Sequence, residues 1–210
     1  MVQHLINTTL NQTITASASQ TGFDEFMHTH VPLLLERIKD LLTVPITVPE
    51  VWWIISPMII SMLILSFYFG RYRGEELGWN SAVSNSLVLV FVSVDLFRYW
   101  FTHNDITTIF QNVQVLYGLI GPLLVGFLGI WLLFFEFFHL IPKQIAFFIG
   151  SSIPINVIAY TAIANVYSGL PFDIYTLIAM IVLFFIVYSL FMLIRELIPQ
   201  AAPHGREKEL

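Results

Sequence analysis

The sequence predicts an all-α, polytopic integral membrane protein with five transmembrane helices and an N-terminal amphipathic helix. Hydrophobic residues make up 57% of the 210 residues and charged residues only 11%, against roughly 45–50% and 25% in soluble domains. Five apolar stretches each reach or approach the ~20 residues needed to cross about 30 Å of hydrocarbon. The connections between these stretches are short, so no loop is expected to form a soluble domain.

The first 48 residues divide into a polar tail and an amphipathic helix. Residues 1–22 are rich in Thr, Asn, Gln and Ser, and we expect a mobile tail. Apolar residues then recur at helical spacing within residues 23–48, opposite charged ones. The two sets are Val31, Leu34, Leu35, Ile38, Leu41 and Leu42, and Glu36, Arg37, Lys39 and Asp40. This helix is too polar to span, so we expect it on the membrane surface or packed across the bundle.

The transmembrane domain is expected over residues 51–198, followed by a charged tail at residues 199–210. Its five predicted spans are residues 51–70, 81–101, 115–141, 144–167 and 174–198. The fourth contains Gly150 and Pro154, which predict a kink that helps helices pack. A break there could instead present backbone oxygens to a permeating ion. Asp173 is expected to cap the fifth helix.

The distribution of Lys and Arg predicts the orientation. One side of the membrane would hold Arg71, Arg73, Lys143, Arg195, Arg206 and Lys208, and the other Arg37, Lys39 and Arg98. Because basic residues favour the cytoplasmic side, we expect a cell-membrane protein with its N-terminus outside and its C-terminus in the cytoplasm. Asn7 and Asn11 begin glycosylation sequons that would lie outside in this topology.

The second span carries a polar face. At 100° per residue its members are Ser81, Ser84, Asn85, Val88, Val92, Asp95 and Tyr99. Polar groups cannot face lipid cheaply, so this face is expected to meet another helix, another subunit or water. We take Ser84, Asn85, Asp95 and Arg98 as candidate ion-pathway residues, since an ionisable group within a span suggests function. The alternative is structural, because Arg98 can pair with Asp95 on the same helix.

Glu136 and His139 are weak candidates for a metal site. Their Glu-x-x-His spacing places two ligands on one helical face in carboxylate-bridged metal proteins. Those sites require a second such motif in the bundle, and the five predicted spans hold only this one. We therefore favour a structural interpretation, in which Glu136 pairs with Lys143 where the helix leaves the membrane.

Several functional classes find no support in the residues present. The chain has no cysteine, which excludes disulfides and thiolate chemistry. It also lacks the common nucleophile, zinc-protease, nucleotide and dinucleotide motifs, so we expect neither catalysis nor a cofactor. A net charge of −5 argues against nucleic acid as a partner.

Two functions remain open. The first is a small channel or transporter subunit that conducts cations through a homo-oligomer, with the polar face of the second span lining the path. The second is a non-transporting scaffold or accessory subunit, in which that face packs against a partner membrane protein. The environment of Asp95 distinguishes them: a wet cavity favours transport, and a dry contact with Arg98 favours the scaffold.

Overall fold

The computed structural model describes residues 27–72, 74, 78–104 and 117–200, and this part of the chain is helical without strands. Its elements are α1 (27–47), a 3-10 turn (Pro49–Val51), α2 (Trp52–Arg71), α3 (Trp79–His103), α4 (Ile120–Phe137), α5 (Lys143–Ile149), α6 (Ser152–Ser168) and α7 (Ile174–Leu197). Helices α2, α3, α4 and α7 are each long and apolar enough to span a membrane. Helices α5 and α6 meet at a 44° bend and form a fifth span if counted as one. The all-α, polytopic membrane fold is thereby confirmed.

The bundle has two ends, named here by one residue each. At the Arg71 side, α2 and α7 end while α3 and α5 begin: Arg71 Nη1 donates to the Pro199 carbonyl (3.4 Å), and the Trp79 ring lies 5.2 Å from that of Phe147. At the Asp173 side, α7 begins and α3 ends. The basic residues that predict the cytoplasmic face and lie in the described part belong to the Arg71 side.

Helix α6 lies at the centre of the bundle and contacts α2, α3, α4 and α7. Its alanines permit close approach of neighbouring helices, and most of its residues are buried: Ile153, Ile155, Asn156, Val157, Ala159, Thr161, Ala162, Ile163, Ala164, Asn165 and Tyr167. The surrounding helices instead expose large apolar side chains, among them Trp53, Phe91, Phe127 and Leu197. Such a surface is stable against lipid hydrocarbon, as the composition predicts.

The break between α5 and α6 follows from Pro154. In a continuous helix the proline ring would clash with the carbonyl of Gly150, four residues earlier, and would remove one hydrogen bond. The chain instead leaves the helix at Gly150 and Ser151, which puts Pro154 in the first turn of α6, where a missing N–H costs nothing. The kink predicted within residues 144–167 is therefore a break between two helices.

Helix α1 packs across the bundle, one of the two arrangements expected for it. Arg37 Nη2 donates to Asp173 (3.3 Å), and His30 hydrogen-bonds the Tyr175 hydroxyl (2.6 Å). Deeper in the bundle, the Tyr160 hydroxyl donates to the Leu41 carbonyl. The side of α1 that packs on the bundle consists of Leu34, Ile38, Leu41 and Val44. Leu35 and Leu42, expected in the apolar stripe, are exposed instead.

Asp173 caps α7 as predicted, with its carboxylate accepting from the Thr176 backbone N–H (2.9 Å) and hydroxyl (3.0 Å). Partial burial raises the pKa of Asp173, but these bonds and the one from Arg37 outweigh it, so the pKa lies below its ordinary value. A depressed folded-state pKa stabilises the fold above the unfolded value of about 3.9, and this contribution is lost as the pH falls through the folded-state pKa.

Asp173→Ala is expected to lower the free energy of unfolding by about 1 kcal/mol, as is typical for loss of an N-cap. Asp173→Asn keeps a good capping side chain and loses only the charge, so its effect should be smaller. Thermal unfolding in detergent at neutral pH measures both. The difference between Asp173→Asn and wild type should begin to shrink near pH 4 and disappear once the pH is below the folded-state pKa of Asp173. Equal stability of Asp173→Ala and wild type would contradict the capping role.

Some predictions concern residues outside the described part. These are the tail at residues 1–22, its two sequons, the beginning of the predicted third span at residue 115, and the last ten residues of the chain. Within the described part, α4 ends at Phe137, earlier than the predicted end of that span at residue 141.

Candidate functional site

Glu136 places a carboxyl group in the interior of the bundle, with no part of the residue exposed. Its Oε2 accepts a hydrogen bond from the Ser86 hydroxyl (2.6 Å), while Oε1 has no hydrogen-bond partner among the described residues. Oε1 lies against Gly150, since a Cβ atom added to Gly150 would be 2.4 Å from Oε1. The carboxyl is therefore held between α3, α4 and the break in the fifth span.

Each surrounding element contributes one feature to this site. Helix α3 supplies Ser86, seven residues after Trp79 and hence about 10 Å from the helix start at 1.5 Å per residue. Asn85 Nδ2 donates to the Gly150 carbonyl (2.8 Å), which the break would otherwise leave without a helical partner. Gly150 lies seven residues after Lys143, the first residue of α5. The positions of Ser86 and Gly150, each seven residues from a helix start, therefore both place the Glu136 carboxyl about 10 Å below the Arg71 side.

The expected pairing of Glu136 with Lys143 is wrong. Glu136 contacts Ser86 instead, and the Lys143 ammonium lies over the Phe147 ring, 5.4 Å from its centre. The reason is the direction of the side chain: Glu136 lies on the buried face of α4, which packs on α3, whereas Lys143 begins the next helix with its side chain exposed.

The Glu-x-x-His pair does not share a helical face. Helix α4 ends at Phe137, and His139 has a positive φ of 54°, which takes its exposed side chain away from Glu136. The His139 ring packs on Trp79, with centroids 4.1 Å apart. In the described ranges no three residues among His, Asp and Glu lie close enough to hold a metal ion.

Asp95 lies in a paired environment near the Asp173 side. Its Oδ1 accepts from Arg98 Nη2 (2.6 Å) and Nε (3.0 Å), and its Oδ2 accepts from the Tyr167 hydroxyl (2.9 Å). Tyr167 stacks on Tyr99 with a centroid distance of 3.8 Å. The Arg98 contact is the one that the structural alternative anticipated.

The polar face of α3 is rotated relative to the prediction. Ser84 is exposed and Asn85 turns towards Gly150, whereas the buried face consists of Ala82, Ser86, Leu89, Val92, Ser93, Leu96 and Trp100. Helix α3 packs most extensively against α4 in the antiparallel direction, with the Ser93 hydroxyl donating to the Pro122 carbonyl (2.8 Å). Glycines of α4 permit this approach, since a Cβ at Gly129 would lie 2.8 Å from the Leu89 Cβ.

Sequence reasoning missed Ser86 as the partner of Glu136. A signal was present, because Ser86 and Ser93 are seven residues apart and so share a helical face, as do Gly129 and Glu136 on α4. A face of small and polar residues on each of two helices indicates a close contact between them.

A cavity of about 430 Å³ lies beside the break, between α2, α6 and α7 at the Arg71 side. Its polar lining comes from Ser66, Ser151, Ser152, Arg195 and Glu196. Ser151 lines this cavity and directly follows Gly150, the residue against which Glu136 Oε1 lies.

Comparison with known proteins identifies no relative: no family model, curated protein or solved structure matches this chain. The features that bear on function are those of the chain itself. They are the buried carboxyl of Glu136, the broken fifth span and the cavity next to the break.

Proposed function

We propose that this protein is a small proton-coupled membrane transport protein, with Glu136 as the residue that binds the proton. The observation that carries the proposal is the Glu136 carboxyl itself, fully buried in a membrane span against a helix break. Ionisable residues inside spans are costly and mark ion or proton pathways. Discontinuous helices at membrane depth likewise occur at transport sites.

The chemistry of the site favours a proton over a metal cation. A bare carboxylate with one hydrogen bond is expensive to bury, and no basic residue of the described part lies within ion-pairing distance of Glu136. A hard metal cation requires about six oxygen ligands. The carboxyl, the Ser86 hydroxyl and the Gly150 carbonyl supply four oxygens at most. One proton neutralises the carboxylate without further ligands.

The break supplies an element that can move. Rotation about Gly150 and Ser151 would shift α5 against α6 and open the Glu136 carboxyl to water from the Arg71 side. A proton on Glu136 would stabilise the closed arrangement, in which the group is dry, and its loss would favour the hydrated one. Differential stability of two arrangements is what couples proton binding to a conformational change.

Proton flux into liposomes that contain only the purified protein tests this function. A pH gradient drives flux in the wild type, and Glu136→Gln is expected to lower it at least about tenfold, in line with effects of a lost proton-transfer group. Asp95→Asn is the matched carboxyl control and should retain flux, because its partners Arg98 and Tyr167 already satisfy it. Loss of flux in Asp95→Asn alone would instead favour a path along the polar face of α3.

The scaffold remains the second candidate, and the Tyr167–Asp95 hydrogen bond between α6 and α3 supports it. The Asp95–Arg98 pair does not, because the Arg98 side chain is exposed and the contact is therefore not dry. With Asp95 held by Arg98 and Tyr167, this part of α3 serves to join α3 to α6. Wild-type liposomes without flux for protons or metal cations would support that candidate. Self-association, location in the cell membrane and an outside N-terminus belong to the same proposal, and cysteine labelling from either side of intact cells tests the orientation.

A further inference from the structure

The cavity beside the helix break has a chemistry that proton transport does not use. Its walls are largely aromatic and apolar, with Phe69, Phe148, Phe184, Tyr188 and Met192 among the lining residues. Phe148, Tyr188 and Met192 are also exposed at the outer surface of the bundle. In a membrane that surface faces lipid, so the cavity adjoins the hydrocarbon.

Ser66 provides a polar group inside this cavity. The residue is only 3% exposed, and no hydrogen bond of its hydroxyl to another described residue is found. It belongs to the lining of the cavity. A buried hydroxyl without a partner is costly unless a ligand or water completes it.

The N-terminus of α6 points into the same cavity. Ser151, Ser152, Ile153 and Pro154 all line it. No side chain caps this helix, and the Ser151 hydroxyl donates backwards to the Phe148 carbonyl instead. The Ser152 and Ile153 N–H groups have no backbone acceptor in the described part. Free N–H groups and the positive end of a 17-residue helix favour an anion.

Arg195 lines the cavity from α7, in the last turn of that helix. Its guanidinium lies over the Phe69 ring, 5.7 Å from the centre. Five N–H donors allow an arginine to bind a phosphate bidentately while it keeps other contacts. Glu196 also lines the cavity, but its side chain is exposed, so water screens its charge.

We propose that this cavity binds an anionic phospholipid, with the phosphate between Arg195, Ser66 and the N-terminus of α6 and an acyl chain along the aromatic wall. A lipid fits better than a soluble anion because Arg195 lies in the last turn of α7, near the Arg71 side, while the remaining wall is apolar and adjoins the hydrocarbon. This site is independent of the proposed proton transport, since Glu136 does not line the cavity.

Native mass spectrometry tests the site on full-length protein in micelles, mixed with phosphatidylglycerol or with phosphatidylcholine carrying the same acyl chains. Wild type is expected to prefer phosphatidylglycerol. Arg195→Gln should reduce this preference about tenfold, as expected for loss of a charged hydrogen bond. Arg71→Gln is the control, because it removes a charge at the same side without lining the cavity. An equal preference in wild type and Arg195→Gln, or an equal loss in both arginine variants, would overturn the proposal.

A second pair of variants keeps the test decisive if Arg195→Gln fails to fold. Ser66→Ala removes one hydroxyl from the cavity and should weaken phosphatidylglycerol binding several-fold. Ser61→Ala changes an exposed serine on the same helix and should leave binding unchanged. Displacement of the lipid by millimolar inorganic phosphate would refute the lipid assignment in favour of a soluble anion, whereas resistance to it supports the acyl-chain contact.

Discussion

Gly150→Ala is expected to destabilise the helix bundle by about 1–3 kcal/mol, because the added methyl group has no room. The new Cβ would lie 2.4 Å from Glu136 Oε1 and 2.9 Å from both the Ala146 carbonyl oxygen and the Ala82 Cβ. Two of these neighbours are fixed by helix geometry, since one is backbone and the other is a Cβ. Relief therefore requires the backbone at the end of α5 to change and α5 to move away from Ala82 of α3.

The measurement is the thermal unfolding midpoint in detergent, where this loss corresponds to roughly 2–12 °C for a protein of this size. Gly74→Ala is the control, because a Cβ there meets nothing within 4 Å. In a Glu136→Ala background the destabilisation by Gly150→Ala should shrink, since one of the three close contacts is then gone. An unchanged midpoint in Gly150→Ala would mean that the break is not packed as closely as the distances indicate.

The fold could be predicted from composition and from the length of the apolar stretches. Both depend only on the bilayer, which demands about 20 apolar residues per span whatever the helices pack against. The cap at Asp173 was also predictable, because capping is local and its partner Thr176 lies three residues away. These features need no knowledge of tertiary contacts.

The site around Glu136 could not be predicted in the same way. Its carboxyl meets Ser86, fifty residues earlier in the chain, and Gly150 beyond the next turn. Such contacts depend on the rotation of α3 about its axis, which the predicted polar face placed differently. The predicted face was chosen because its residues are polar. The observed face of α3 is the one that can approach α4 closely, because Gly129 leaves room for the Leu89 side chain.

The double variant Ser86→Ala/Glu136→Met is expected to lose proton flux. Its free energy of unfolding should equal that of wild type or exceed it by up to about 1–3 kcal/mol. Methionine has nearly the length of glutamate and adapts to irregular space. The substitution removes the buried carboxyl together with its single donor, so no polar group is left without its partner. Thermal unfolding in detergent and liposome flux are measured on the same preparation.

Proton flux, measured beside stability, separates the two candidate functions. If the Ser86–Glu136 hydrogen bond only joins α3 to α4, an apolar pair can replace it, and wild type has no flux to lose. If Glu136 is retained for proton binding, the bundle bears the cost of burying a carboxyl, and an apolar replacement recovers it. Ser93→Ala is the matched control on the same face of α3: it removes the hydroxyl that donates to the Pro122 carbonyl and should destabilise modestly without affecting flux. A double variant that is less stable than wild type and still conducts protons would exclude Glu136 as the transport residue.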